Sequence, residues 1–258
     1  MKETQMPNQT EKLEAESFKG LVAQIRKAEG IKPPSTEPPK VPASLQSLKI
    51  NPPSPSMTPS RTRDDIEREE ILGQRLARWS RSGFPLRHRQ TADRREETGD
   101  EWIKVRGVAI NAMRESRIVA LVGPRGTGKT QMAASICREL VIGDGWTSMY
   151  YRTADLLGRF KQQVFGEGMD EFKFMDRLAR IRGLVLDEFQ DRYESETEDT
   201  ILRRLLDHRY GAMVGTLIIA NLTADELAAA LGSSVWDRMR EAGIVIPCEW
   251  KSFRGVCA

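Results

Sequence analysis

Arg117-Ile118-Val119-Ala120-Leu121-Val122-Gly123-Pro124-Arg125-Gly126-Thr127-Gly128-Lys129-Thr130 is the stretch that decides how this chain folds. From Gly123 onward it fits the phosphate-binding pattern G-x-x-x-x-G-K-[ST] at every fixed position. Arg117 to Val122 reads as a short buried strand, and Gln131 to Leu140 reads as a helix. Strand, glycine loop and helix together are the context that the pattern requires. Glycines let the backbone curl until several N–H groups converge on one anion, and the helix adds the positive end of its dipole. Lys129 supplies a point charge for the β and γ phosphates. Thr130 offers a hydroxyl to Mg²⁺, an ion that keeps most of its waters. Gly123, Pro124, Arg125, Gly126, Thr127, Gly128, Lys129 and Thr130, with the adjoining Gln131, are the candidate nucleotide-binding residues.

A phosphate loop needs a carboxylate partner for its metal. Gly183-Leu184-Val185-Leu186-Asp187-Glu188 supplies one. The apolar residues predict a buried strand with Asp187 at its C-terminal end, where open α/β sheets place ligand chemistry. Asp187 is the candidate metal residue beside Thr130. Glu188 is placed to orient or deprotonate an attacking water, which favours hydrolysis over simple binding. A surface salt bridge is the plainer reading of Glu188. A third apolar run, Thr216 to Ala220, ends at Asn221, whose amide is a candidate for the γ-phosphate or the water. Asn is also a common turn residue. Thr223-Ala224-Asp225-Glu226 reads as a capping box opening a helix from Ala224 to Leu231. Further on stand Arg238 and Arg240. Chemistry alone leaves open whether Arg238 is a finger that neutralises γ-phosphate charge in a neighbouring subunit or an ordinary exposed arginine.

Composition bounds the rest. The chain has 258 residues, 39% hydrophobic and 30% charged, with a formal net charge of +3. Affinity for nucleic acid must therefore come from local patches. Cys137, Cys248 and Cys257 are scattered, which argues against a zinc site or a disulfide framework and fits a reducing compartment. No apolar run approaches the roughly 18 residues of a membrane span, and the polar start lacks the apolar core of a signal peptide. The expectation is a cytoplasmic protein without a membrane partner.

Nine of the thirteen prolines fall between Pro33 and Pro59, among serines and threonines, and predict an extended or disordered linker. Residues 1–30 then form an N-terminal segment, 31–60 the linker and 61–258 the ATPase domain. Upstream of the linker, Glu11 to Ala28 reads as one helix, with Phe18, Leu21, Val22 and Ile25 at helical spacing and Leu13 before them. One helix cannot bury that stripe alone: either it docks on the chain's own globular domain or it binds a protein partner, and the long linker favours the partner. Asp64 to Arg81 reads as a charged helix. Between Arg75 and Arg95 stand seven arginines (Arg75, Arg78, Arg81, Arg87, Arg89, Arg94, Arg95) against one acid, Asp93. They suit phosphate contacts or a solvated face balanced by upstream acids. From Trp102 onward, apolar strands alternate with helical patterns, which predicts an α/β fold with a mostly parallel sheet.

The order of these motifs resembles that of the AAA+ ATPases, and more narrowly the bacterial and phage helicase loaders (DnaC-like proteins) and the IstB-type transposition ATPases. The similarity runs from about Arg75 to Arg254. It includes the segment Ser82 to Arg87, Gly126 to Thr130, Leu186-Asp187-Glu188, Leu205 to Tyr210 and Ile219-Ala220-Asn221. Its more specific parts are Val235-Trp236-Asp237-Arg238-Met239 and the closing Trp250-Lys251-Ser252-Phe253-Arg254. The resemblance implies a P-loop core with a five-stranded parallel sheet in the order 5-1-4-3-2 and no full C-terminal lid. It implies Walker A at Gly123 to Thr130, Walker B at Asp187 and Glu188, sensor 1 at Asn221 and an arginine finger at Arg238.

As function it implies ATP- and Mg²⁺-dependent loading of a DnaB-like replicative helicase onto single-stranded DNA by an oligomer of the chain, with residues 1–30 as the grip on the helicase. Two alternatives stay open: an IstB-like ATPase that assembles on DNA and regulates a transposase, and a nucleotide-dependent scaffold with little turnover. Expected single-strand contacts are Arg152, Arg159, Lys161, Lys173, Arg177, Arg180 and Arg182, with Tyr151, Phe160, Phe165 and Phe172 as stacking platforms. The plainer reading is two amphipathic helices whose aromatics are core. Phe84, Leu86 and Arg87 are candidates for the adenine side.

Overall fold

The structure, a computed structural model, describes residues 62–93, 99–191 and 195–253. The expected N-terminal helix, the proline-rich linker, Arg94, Arg95, Arg254 and Cys257 lie outside the described residues. Five strands form one sheet: β1 (Ile118–Val122), β2 (Ser148–Arg152), β3 (Gly183–Asp187), β4 (Gly215–Ile219) and β5 (Gly243–Pro247). Every pairing is parallel and the order is β2-β3-β4-β1-β5. This is the expected order read from the other edge.

The helices are α1 (Arg63–Ser80), α2 (Leu86–Gln90), α3 (Asp100–Arg114), α4 (Lys129–Ile142), α5 (Thr153–Phe160), α6 (Glu171–Ala179), α7 (Glu196–Gly211) and α8 (Ala224–Ala242). A π-helical turn, Lys161–Gly166, extends α5. Among the described residues no helix is long and apolar enough to cross a membrane.

The three inner strands β1, β3 and β4 are buried along their whole length. That is why they read as continuous apolar runs: helices cover both faces of a parallel sheet. Side chains alternate across it. Val119 and Leu121 join Trp102, Met113, Met132, Ile136 and Leu140 in one core. Ile118, Ala120 and Val122 join Leu157, Phe160, Leu184, Leu186 and Leu205 in the other.

Two expectations are corrected. The helix from Ala224 does not end at Leu231 but runs to Ala242, broken at Gly232 with φ 75° and ψ 163°. Gly232-Ser233-Ser234 is a stop signal in sequence, yet Val235 and Met239 are buried and draw the chain back into a helix. The segment around Tyr151 is an edge strand, β2, whose half-polar composition hides it.

The arginine-rich segment also resolves. Arg75 Nη1 donates to the carbonyls of Ile142 and Gly143, both at 2.7 Å, and Arg78 Nη1 donates to Gly145 O at 2.9 Å. These guanidiniums cap the C-terminal end of α4, where carbonyls lack intrahelical donors and the dipole favours cations. A buried counterpart is Arg209 on α7, with no exposed surface. Its Nε donates to Thr216 Oγ1 at 2.9 Å, and its terminal nitrogens donate to Leu178 O, Ile181 O and Gly215 O.

Gly123 follows β1 with φ 126°, and a Cβ there would lie 2.8 Å from Cys248 O. The three nearest atoms all belong to the Cys248 backbone, which does not yield cheaply. Gly123→Ala is expected to destabilise the chain by about 2 kcal/mol or more, read as a lower urea midpoint at unchanged slope.

Candidate functional site

Gly126 and Gly128 take left-handed φ values of 89° and 76°, and Gly128 is the N-cap of α4. The loop thus delivers its turn directly onto a helix N-terminus. Lys129 is buried, and its Nζ donates to Gly123 O and Pro124 O, both at 2.7 Å. Burial lowers its pKa, against the fields of Cys248 and Asp187, which raise it. A poorly hydrated ammonium attracts a phosphate more strongly than a solvated one.

Asp187 ends β3 and is 4% exposed. Its Oδ2 accepts hydrogen bonds from Thr130 Oγ1 at 2.9 Å and Tyr150 OH at 2.8 Å, and its Oδ1 accepts from Glu188 N at 2.8 Å. A hydroxyl and a carboxylate in contact at the mouth of the glycine loop are hard oxygen donors, which suits Mg²⁺. Among the described residues no cluster of three or more His, Cys, Asp or Glu is arranged as a metal cage. That fits an ion held between one hydroxyl, one carboxylate and the ligand's phosphates. Thr130 and Asp187 would hold it, and it would neutralise phosphate charge.

Glu188 has φ 53°, a left-handed conformation that costs a non-glycine residue about 1–2 kcal/mol. The bend takes its carboxylate out of the strand direction, to 3.3 Å from Arg152 Nε. Glu188 thus lines the cleft and carries an exposed ion pair. Asn221, after the adjacent strand β4, lines the same cleft, its backbone N–H donating to Gln190 Oε1 at 2.9 Å.

Lys129, Thr130, Asp187, Glu188 and Asn221 converge on one cleft of about 460 Å³, joined by Arg87, His88 and Phe253. That volume is in the range of small-molecule sites. Gln131 faces the same cleft, and its Oε1 accepts from Thr91 Oγ1 at 3.1 Å and lies 2.7 Å from His88 Nδ1.

Phe84 is not on the adenine side. It is 3% exposed and packed between Trp79 and Tyr150, with centroids at 5.5 and 4.6 Å. Leu86 does not line the cleft either, while Arg87 does.

Arg238 lies away from its own chain's cleft. Its Nη1 stands 2.8 Å from Asp207 Oδ1 and donates to Ser234 Oγ at 2.7 Å.

The residues expected on DNA scatter. Phe160 is core and edge-on to Phe174, whereas Phe165 and Phe172 are exposed. Lys161 is paired with the buried Glu198, Arg180 with Asp176, and Arg182 covers the Trp146 ring at 4.4 Å. Arg159 and Arg177 do meet, around a separate cavity of about 430 Å³ that Arg78, Arg81 and Tyr151 also line.

Three contributors to the site had no sequence signal of their role. Tyr150 is one and His88 another. The third is the closing segment: Trp250 Nε1 donates to Thr127 O at 2.8 Å and Phe253 N to Gly126 O at 2.9 Å. Cys137 and Cys248 are buried free thiols whose pKa values burial pushes up to about 12.

Comparison with known proteins places this geometry. Residues 93–255 match the family described as IstB-like ATP binding protein. The replicative helicase loader DnaC of Escherichia coli (strain K12) is 31% identical over 133 residues, which is 51% of this chain and 54% of that relative. The chain thus spans about half the length of the curated loaders it matches. A crystal structure of the DnaC helicase loader superposes with a TM-score of 0.50 at 20% identity, over 66% of this chain and 98% of that one. The replication initiator DnaA bound to AMPPCP and single-stranded DNA gives a TM-score of 0.50 at 17% identity, over 60% and 48%. At these identities the two structures share the fold with this chain.

Proposed function

The chain belongs to the IstB-like ATP-binding proteins and is a P-loop ATPase, and from that premise we propose that it is an ATP-dependent loader of a DnaB-like replicative helicase onto single-stranded DNA. The observation that carries this reading is the 31% identity to a replicative helicase loader. The cleft supports it with a complete hydrolytic set: Lys129 and the loop N–H groups for the phosphates, Thr130 and Asp187 for Mg²⁺, Glu188 for the water and Asn221 as its second contact.

Arg238 serves a neighbouring copy. It lies outside its own cleft, and it would leave Asp207 to reach a γ-phosphate across a subunit boundary, so ATP would assemble an oligomer and hydrolysis would release it. Residues 1–30 grip the helicase, and residues 31–60 tether that grip to the ATPase domain of residues 61–258. Single-stranded DNA lies along basic side chains of the chain segment between Thr130 and Asp187 in sequence, with Arg159 and Arg177 among them.

The test is a pull-down with a DnaB-like helicase, using the full chain and a chain lacking residues 1–60. Capture by the full chain alone is the expected result; capture by neither form overturns the loader reading. The family match itself favours a second reading, an ATPase that assembles on DNA and regulates a transposase. ATP-dependent preference for duplex over single-stranded DNA would select it. For Arg238, mixing supplies the check. Arg238→Ala and Lys129→Ala subunits, each expected to be inactive alone, recover hydrolysis when combined, because an intact arginine then faces an intact loop.

A further inference from the structure

We propose that Tyr150 is a positioning residue for the metal carboxylate: its phenol fixes Asp187 for the divalent cation, and its backbone ties that carboxylate to the chain leaving α1. This rests on the Mg·ATP reading of the cleft.

Tyr150 sits on the edge strand β2, beside β3, and is 9% exposed. Its hydroxyl donates 2.8 Å to Asp187 Oδ2, the same oxygen that Thr130 Oγ1 approaches at 2.9 Å. Of the three hydrogen-bond donors given for the Asp187 carboxylate it is the one that comes neither from the glycine loop nor from Asp187's chain neighbour. Thr130 would share its hydroxyl with a bound cation. Tyr150 has no such second task, so it can hold Oδ2 while Thr130 serves the cation. Burial raises the phenol's pKa, and the nearby Asp187 charge raises it further, so the group stays a donor across the working pH range. A hydrogen bond to an ionised carboxylate is short, directional and stronger than a neutral one. If only packing were needed here, phenylalanine would fill the same space without a buried hydroxyl.

The tyrosine is itself held from behind. Its N–H donates to Ser82 O at 2.7 Å, and Phe84 packs on its ring at 4.6 Å. Gly83, with φ 82°, runs so close that a Cβ would stand 2.8 Å from Tyr150 O. Phe84 in turn contacts Trp79 at the end of α1. The orientation of the metal carboxylate is thereby linked through one side chain to the segment at residues 79–84.

The experiment is a Mg²⁺ titration of fluorescent ATP-analogue binding by the full chain. In Tyr150→Phe the Mg²⁺ concentration for half-maximal binding is expected to rise about 10-fold, the low end for loss of a partner behind a metal ligand. Binding in EDTA stays at the wild-type value. Phe84→Leu, which keeps the phenol but loosens its backing, shifts the midpoint the same way by less. An unchanged midpoint in both variants overturns the proposal. So does an equal loss of affinity with and without Mg²⁺, which would mark Tyr150 as purely structural. A wild-type chain that binds no nucleotide overturns the Mg·ATP reading itself, and that outcome is visible before any variant is made.

Discussion

Glu188→Gln is expected to lower the rate of ATP hydrolysis by about 100-fold or more while leaving ATP affinity within a few-fold of wild type. The substitution keeps the length and shape of the side chain and removes only its basicity. Glu188 does not touch the loop. Its neighbour Asp187 carries the hydrogen bonds to Thr130 and Tyr150, so the metal carboxylate stays in place. What is lost is the group that takes a proton from water as it attacks the γ-phosphate. The ion pair with Arg152, with side-chain exposures of 59% and 42%, contributes little to stability. A fall in kcat without a fall in melting temperature is therefore the specific outcome. Measuring phosphate release and equilibrium binding on the same preparation separates the two effects. A near-zero rate in wild type and variant alike would instead favour a nucleotide-dependent scaffold.

Arg209→Leu is expected to cost the fold about 3 kcal/mol or more, the largest stability effect predicted for a single substitution in this chain. The guanidinium has no exposed surface, and burial pulls its pKa down to about 9, so it is still protonated at neutral pH. Its donors reach three carbonyls and one hydroxyl, at the end of α6, before β3 and at the start of β4. Leucine fills part of the space and removes the guanidinium's four hydrogen bonds; Leu178 O keeps the N–H of Ile181 at 3.2 Å, and each buried group left unsatisfied costs about 1–3 kcal/mol. Arg209→Lys recovers little, because one ammonium cannot span acceptors on three segments. Urea denaturation followed by circular dichroism measures the loss. A cost below about 1 kcal/mol would show that water replaces the guanidinium.

The readable parts of the sequence were those where one segment carries the whole signal. The glycine loop announces itself because strand, turn and helix are contiguous, and Arg125, Gly126, Gly128, Lys129, Thr130 and Gln131 line the cleft. Asp187 was legible because an apolar strand ends in it. Arg209 was not: its acceptors come from three segments, and nothing in Leu205 to Tyr210 marks one arginine as buried. Tyr150 was missed for a related reason. Its partner lies across a strand pairing, and β2 is too polar to read as a strand. Phe84 stands close in sequence to the core, which suggests the ligand, whereas its ring is buried against Trp79 and Tyr150. Gly232 misled in the opposite direction, since a local stop signal was overridden by the burial of Val235 and Met239.

The hydrogen bond from the Trp250 indole to Thr127 O has an optical consequence. It sets a natural fluorophore against the one segment that must adjust when a triphosphate arrives. Emission from this indole depends on how firmly that carbonyl holds it, so filling of the loop is read without any attached dye. A difference spectrum against Trp250→Phe isolates this signal from the chain's four other tryptophans. The protein carries its own gauge of occupancy, and stopped-flow mixing with nucleotide gives its time course directly.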